Sequence, residues 1–197
     1  MNPAQASDRY TVVAIILHWV IALGIAALVV MGLTMTHLTL EPMRLFQLYQ
    51  LHKSVGITIL IAAILRLLWR LTHRAPELPA DMPRPEKAAA SGAHVVLYGL
   101  MLALPLSGWA VVSASVLAIP TVLYGVVPWP DLPVLRSLSD KEPAEAALKL
   151  VHAYGAYILI ALVGVHALAA IRHHVVLRDD ILTRMLPFLP RRQRASP

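Results

Sequence analysis

Four stretches of this chain, residues 12–36, 51–70, 92–119 and 148–172, stay apolar over bilayer-spanning length. About 20 such residues carry an α-helix across the hydrocarbon. No other feature restricts the fold as strongly. In hydrocarbon every backbone N–H and C=O must be satisfied within its own segment, so each run must be helical. The expected architecture is therefore all-α, an integral membrane four-helix bundle. Composition agrees, with 58% hydrophobic and 14% charged residues, against about half and a quarter in soluble domains. The first run is too long for the apolar core of a signal peptide, and Arg9 alone is a weak basic flank. It reads as a retained helix. Lys53 and Arg66 fall near the ends of the second run, where long side chains snorkel to the interface. Pro105 predicts a kink or tilt in the third.

Lys and Arg outside the spans set the orientation. With a cytoplasmic N-terminus, the inner segments hold Arg9, Arg66, Arg70, Arg74, Arg84, Lys87, Arg172, Arg178, Arg184, Arg191, Arg192 and Arg194. The outer segments hold only Arg44, Lys53, Arg136, Lys141 and Lys149. Both termini are thus expected in the cytoplasm, and the basic pI of about 10.0 records this asymmetry. No nucleic-acid partner is needed to explain it. The inner loop (about 72–91) carries Pro76, Pro79, Pro83 and Pro85 and reads as an irregular tether. The outer loop (about 120–147) carries five prolines, Trp129 and the acids Asp140, Glu142 and Glu145. It shows no period-2 pattern, and at most a short helix running from Pro143 into the fourth span. One membrane domain, 1–190, accounts for the chain, followed by a basic cytoplasmic tail at 191–197.

The second constraint is chemical: nine histidines and no cysteine. Without cysteine there is no disulfide scaffold, iron–sulfur cluster, thiolate zinc site or covalently attached haem. A histidine at membrane depth is expensive and marks function by default. His18 lies about two turns into the first span, and His52 and His152 lie at the outer starts of the second and fourth. His166 follows His152 by 14 residues, about 21 Å along a helix and within roughly 40° of the same face. Two pairs at two depths result: His18 with His166 on the inner level, His52 with His152 on the outer.

A bare metal ion between two imidazoles is short of ligands, since tetrahedral zinc takes three or four. Haem needs only axial ligands, because the porphyrin supplies four nitrogens itself. A plate also needs room, and small residues follow each histidine at helical spacing: Ala22, Gly56, Gly155, Ala156, Ala169 and Ala170. Propionates would meet Lys53 outside and Arg66, Arg70 or Arg172 inside. His37 and His73 lie at span ends as solvated interface residues. His94 opens the third span with no level partner, which suits a structural or quinone-neighbouring role. His173 and His174 sit beyond the fourth span, as interfacial anchors or beside a redox substrate.

The residues that recur in order are Leu17-His18-Trp19, Leu51-His52-Lys53-Ser54-Val55-Gly56, Arg66-Leu67-Leu68-Trp69-Arg70 and Leu104-Pro105-Leu106-Ser107-Gly108. His152 with Gly155, His166-Ala167 through Arg172-His173-His174, Arg178-Asp179-Asp180 and Leu182 to Pro187 complete the set. Over about Arg9 to Pro187 the chain resembles the bacterial cytochrome b561 family, multi-pass inner-membrane proteins with two non-covalent b haems that include superoxide oxidase. The resemblance implies His18 and His166 on the inner haem iron and His52 and His152 on the outer. It further implies ubiquinone or another membrane quinone near the inner haem, with His173 beside it, and superoxide as a donor to the outer haem.

Three functions follow as expectations. The first is a superoxide:ubiquinone oxidoreductase with no catalytic side chain, electrons passing through haem edges. The second is a haem-b carrier subunit serving a periplasmic redox partner protein. The third is a haem-free histidine-containing transporter.

Overall fold

A computed structural model describes residues 9–79, 82–186 and 188–189. Pro187 and the basic tail with Arg191, Arg192 and Arg194 lie outside the described residues. Four long helices carry the apolar runs: α1 (Val12–His37), α2 (Pro42–Thr72), α3 (Arg84–Ser113) and α5 (Glu142–Arg172), the last continued by a π-turn at His173–Leu177. All four are long and apolar enough to cross a membrane. Between α3 and α5 lie a small hairpin, β1 (Thr121–Leu123) and β2 (Val127–Trp129), and the one-turn helix α4 (Pro133–Arg136).

Side-chain caps start α1 and α2. The Thr11 hydroxyl accepts from the Ala14 amide at 3.3 Å. The Glu41 carboxylate accepts from Met43 and Arg44, and Pro42 stands at the first helical position where its missing N–H costs nothing. Thr36-His37 and Thr72-His73 close α1 and α2 in the same way. In each, the imidazole Nδ1 meets the threonine hydroxyl and the carbonyl four residues back. His73 also stacks on Trp69 at 3.8 Å. Both histidines are exposed helix caps, as expected for span-end residues.

The helices pack in chain order, α1 on α2, α2 on α3 and α3 on α5. Ile21 meets Ile59, Ala62 and Ala63 in one core, and Leu97, Leu104 and Leu159 form the other. Outward faces are equally apolar, with Leu23 67% and Leu168 66% exposed, as a lipid-facing surface requires. Glycine permits the closest approaches: a Cβ at Gly24 would lie 2.2 Å from Ile59 Cδ1, and one at Gly155 2.7 Å from Leu104 Cδ2. The expectation that Gly155 leaves room for a plate is therefore corrected, because Leu104 fills that space. Beside Gly56 nothing lies within 4 Å of where a Cβ would sit.

Four span boundaries move, among them the start of α5, which lies at Glu142 and not at 148. Helix α2 begins at Pro42 and α3 at Arg84, each about two turns earlier than hydropathy placed them, because charged first turns extend the helices past the apolar run. The third helix ends at Ser113, short of the expected 119, and runs unbroken through Pro105. The stretch read as an irregular inner loop is thus partly helical. The outer loop contains a hairpin that was not expected. Its turn carries Tyr124 and Gly125 at φ of 51° and 74°, and the β-branched run around a glycine was the available signal.

Side chains bolt the hairpin to α2. The Tyr124 amide donates to Ser54 Oγ at 3.0 Å, Tyr124 Oη meets Thr58 Oγ1 at 2.7 Å, and Gln50 Nε2 donates to the Pro120 carbonyl at 3.1 Å. Buried Glu145 closes the corner between α3 and α5. Its carboxylate accepts from the Val116 amide at 2.8 Å and pairs with Lys149 at 2.7 Å. Glu145→Ala strands the Val116 amide and is expected to cost about 1–3 kcal/mol. The exposed Lys149 partner contributes little of that. Thermal unfolding in detergent checks this: Glu145→Ala should melt below both wild type and Glu145→Gln, which keeps an acceptor.

Candidate functional site

Because helices alternate direction, the start of α1 and the end of α5 lie at one end of the bundle, here the terminal end. The loop between α3 and α5 marks the opposite, hairpin end. His52 and His152 each sit ten residues after the first residue of their helices, Pro42 and Glu142, or about 15 Å from the hairpin-end tips. His18 sits six residues after Val12, and His166 six before Arg172, about 9 Å from the terminal end.

The rings meet in the expected pairs. His52 and His152 have ring centres 6.3 Å apart at 78°, and His18 and His166 are 6.4 Å apart at 64°. Neither pair joins helices in close backbone contact, since α5 packs on α3, and α1 and α2 on each other. The imidazoles reach towards one another across space their backbones leave open.

That geometry can be tested against a metal atom held between two imidazoles. Metal–imidazole bonds of about 2.0–2.1 Å put facing nitrogens about 4 Å apart and ring centres a little over 6 Å apart. Both pairs fit. No group of three or more potential ligands able to hold an ion alone occurs among the described residues. A metal that brings its own equatorial ligands suits such sites best.

The surroundings of the rings differ. His152 Nδ1 lies 2.9 Å from Ser107 Oγ and 3.1 Å from the Leu104 carbonyl. His52 Nδ1 is buried without a partner. At the terminal level His94 stands edge-on to His166 at 5.4 Å, which corrects the expectation that it has no partner at its level. Arg66 donates to the Ala14 carbonyl at 2.7 Å and lies 5.8 Å over the Tyr98 ring, tying α1, α2 and α3 together there. The other cations diverge. Lys53 turns to the Pro120 carbonyl at 3.4 Å, Arg70 is exposed, and Arg172 pairs with Glu86 at 3.0 Å. Buried His173 holds Asp179 at 2.5 Å and Glu86 at 3.6 Å, while His174 has a buried, unpartnered Nδ1.

With two imidazole pairs at two depths in place, comparison with known proteins becomes decisive. Residues 9–188 match the family described as prokaryotic cytochrome b561. The chain belongs to the prokaryotic cytochrome b561 family. It is 30% identical over 187 residues to cytochrome b561 homolog 2 of Escherichia coli K12, covering 94% of this chain and 95% of that one. It is 30% identical over 184 residues to the probable superoxide oxidase CybB of Yersinia pestis, covering 91% and 96%. Cytochrome b561 homolog 1 of E. coli K12 is 27% identical over 188 residues. This cytochrome b561-family chain is accordingly a multi-pass protein of the bacterial inner membrane with a haem b electron-transfer function. Membership removes the haem-free transporter alternative.

Sequence reasoning missed Ser107 and the Leu104 carbonyl as partners of His152, although both lie in Leu104-Pro105-Leu106-Ser107-Gly108. It also missed Glu86 and Asp179 as partners of His173. Asp179, six residues after its histidine, was the more accessible signal.

Proposed function

We propose that His18 with His166, and His52 with His152, are the axial ligands of two b haems, and that the chain carries electrons between the periplasmic face and the membrane quinone pool. The terminal end, with both termini, faces the cytoplasm, following the excess of Lys and Arg in its segments. The observation that carries the reading is the pair of ring separations, 6.4 and 6.3 Å, at two depths on helices that do not pack closely.

Haem b supplies a one-electron couple. His18 and His166 would hold one such group and His52 and His152 the other, and so would fix where each couple sits. The apolar walls exclude water, and Arg66 stands at the terminal level as a cation for a propionate. At the terminal end His173, between Asp179 and Glu86, lies beside the position where a quinone would draw protons from the cytoplasm.

Superoxide as donor and ubiquinone as acceptor is the activity we assign, by likeness to the Yersinia protein described as a probable superoxide oxidase. At the hairpin end Glu145 pairs with Lys149 and Asp131 with Arg136, so these acids and cations offset one another. A second reading, a carrier docking a periplasmic redox protein, is favoured by apolar side chains at that end: Val126 is 77% and Val134 76% exposed.

Purified protein should show a b-type visible spectrum with two haems per chain and reduce ubiquinone when superoxide is supplied. One haem or none after full haem supply overturns the di-haem assignment. Two haems with inertness to superoxide leave the docking reading in its place.

A further inference from the structure

The two rings of the hairpin-level pair are not equivalent, and the difference comes from one turn of α3. Ser107 Oγ donates to the Leu104 carbonyl at 2.8 Å, so its lone pairs face His152. Nδ1–H of His152 then donates to a shared pair of acceptors, Ser107 Oγ at 2.9 Å and Leu104 O at 3.1 Å. A proton fixed on Nδ1 leaves Nε2 bare, in a ring whose centre lies 6.3 Å from that of His52. Gly108 presses from the same turn: a Cβ there would lie 3.0 Å from His152 Cε1 and 3.4 Å from Nδ1. The ring is therefore fixed in tautomer and in rotation. Across from it, His52 Nδ1 is buried and makes no hydrogen bond. Among the described residues, no ring hydrogen bond is made by His18 or His166, so His152 stands apart from the other three.

We propose that Ser107, with the Leu104 carbonyl, is a positioning residue that makes His152 the strongest electron donor of the four histidines and so sets the hairpin-level couple below the terminal-level couple. The inference rests on the di-haem reading above and adds a direction to it. A hydrogen bond at Nδ1 raises the basicity of the metal-bound nitrogen, which stabilises the oxidised metal and makes the couple harder to reduce. With the tuned ring at the hairpin end and untuned rings at the terminal end, an electron entering at the hairpin end runs downhill towards the termini. The bias is built into one serine hydroxyl and one backbone carbonyl, with no change of axial ligand.

The test is a spectroelectrochemical titration of purified two-haem protein, comparing wild type with Ser107→Ala, Ser107→Thr and Ser107→Cys. A His18→Ala background, which keeps only the hairpin-level haem, assigns that couple. Ser107→Ala, which leaves the Leu104 carbonyl as acceptor, should move electron sharing towards the hairpin-level haem by up to about tenfold, or about 59 mV for a one-electron couple. The terminal-level couple should stay put, and Ser107→Thr, which keeps the hydroxyl, should restore the wild-type value. If Ser107→Ala sheds the haem, Ser107→Cys carries the test with a weaker hydrogen-bonding group of similar size, and a shift in the same direction supports the proposal. Unchanged couples in a variant that retains both haems, or an equal shift of both, overturn it and leave the di-haem reading standing. A wild-type protein with fewer than two haems overturns the parent reading instead.

Discussion

Replacing His18 or His166 by alanine is expected to halve the haem content, leaving one b haem per chain with an intact hairpin-level spectrum. Each pair offers two imidazoles, the rings here sit 6.4 Å apart, and no group of three or more potential ligands able to hold an ion occurs among the described residues. Loss of one imidazole removes half of the protein's hold on the metal and leaves its partner at membrane depth with nothing to bind. His94 supplies the control. It stands edge-on to His166 at 5.4 Å, so His94→Ala should keep both haems. Haem-to-protein ratios from a pyridine haemochrome assay decide the matter. Retention of two haems in His18→Ala, or loss of one in His94→Ala, would reassign the terminal-level ligands.

The complementary result is expected from a position with no chemistry of its own. Gly108→Leu should remove the hairpin-level haem and spare the other. A single Cβ at Gly108 would already lie 3.0 Å from His152 Cε1, tighter than ordinary contact, and the remaining leucine carbons need the volume the imidazole occupies. The neighbouring ring atoms belong to a side chain held by Ser107 and Leu104 and cannot swing aside without breaking both contacts. Gly99→Leu is the matched control, because Gly99 is exposed on the same helix and nothing lies within 4 Å of the added carbon. A Gly108→Leu protein with two haems and an unaltered spectrum would show that His152 is not the ligand.

Much of this arrangement is readable from residue order because hydrocarbon leaves a chain few options. Apolar length dictates helices, and four helices in series fix which histidines share a level. What hydropathy cannot see is how far a helix continues beyond the apolar run. Arg84, Glu86 and Lys87 ended the expected third span, yet they form the first turn of α3, and that shift carries His94 inward to the level of His166. The same effect hid the depth of His52, since Glu41 and Pro42 start α2 well before Leu51. The cations were legible as charges but not as partners. Lys53 and Arg172 had every appearance of propionate ligands, but the Pro120 carbonyl and Glu86 claim them. Gly155 reads as empty space only until Leu104, fifty-one positions away, is placed against it. Such contacts between distant positions leave no periodic trace.

Helix α5 contributes one ring to each pair, His152 to one and His166 to the other. During synthesis, then, neither pair can be complete until α5 leaves the ribosome. The first three helices can insert and pack beforehand, since α1 contacts α2 and α2 contacts α3, but they carry only half of each pair. A nascent chain released before residue 152 could form neither pair, and one released between 152 and 166 only that of the hairpin level. On the proposed ligation, cofactor capture would be tied to the synthesis of α5, and a chain holding both haems would be one in which that helix has been made.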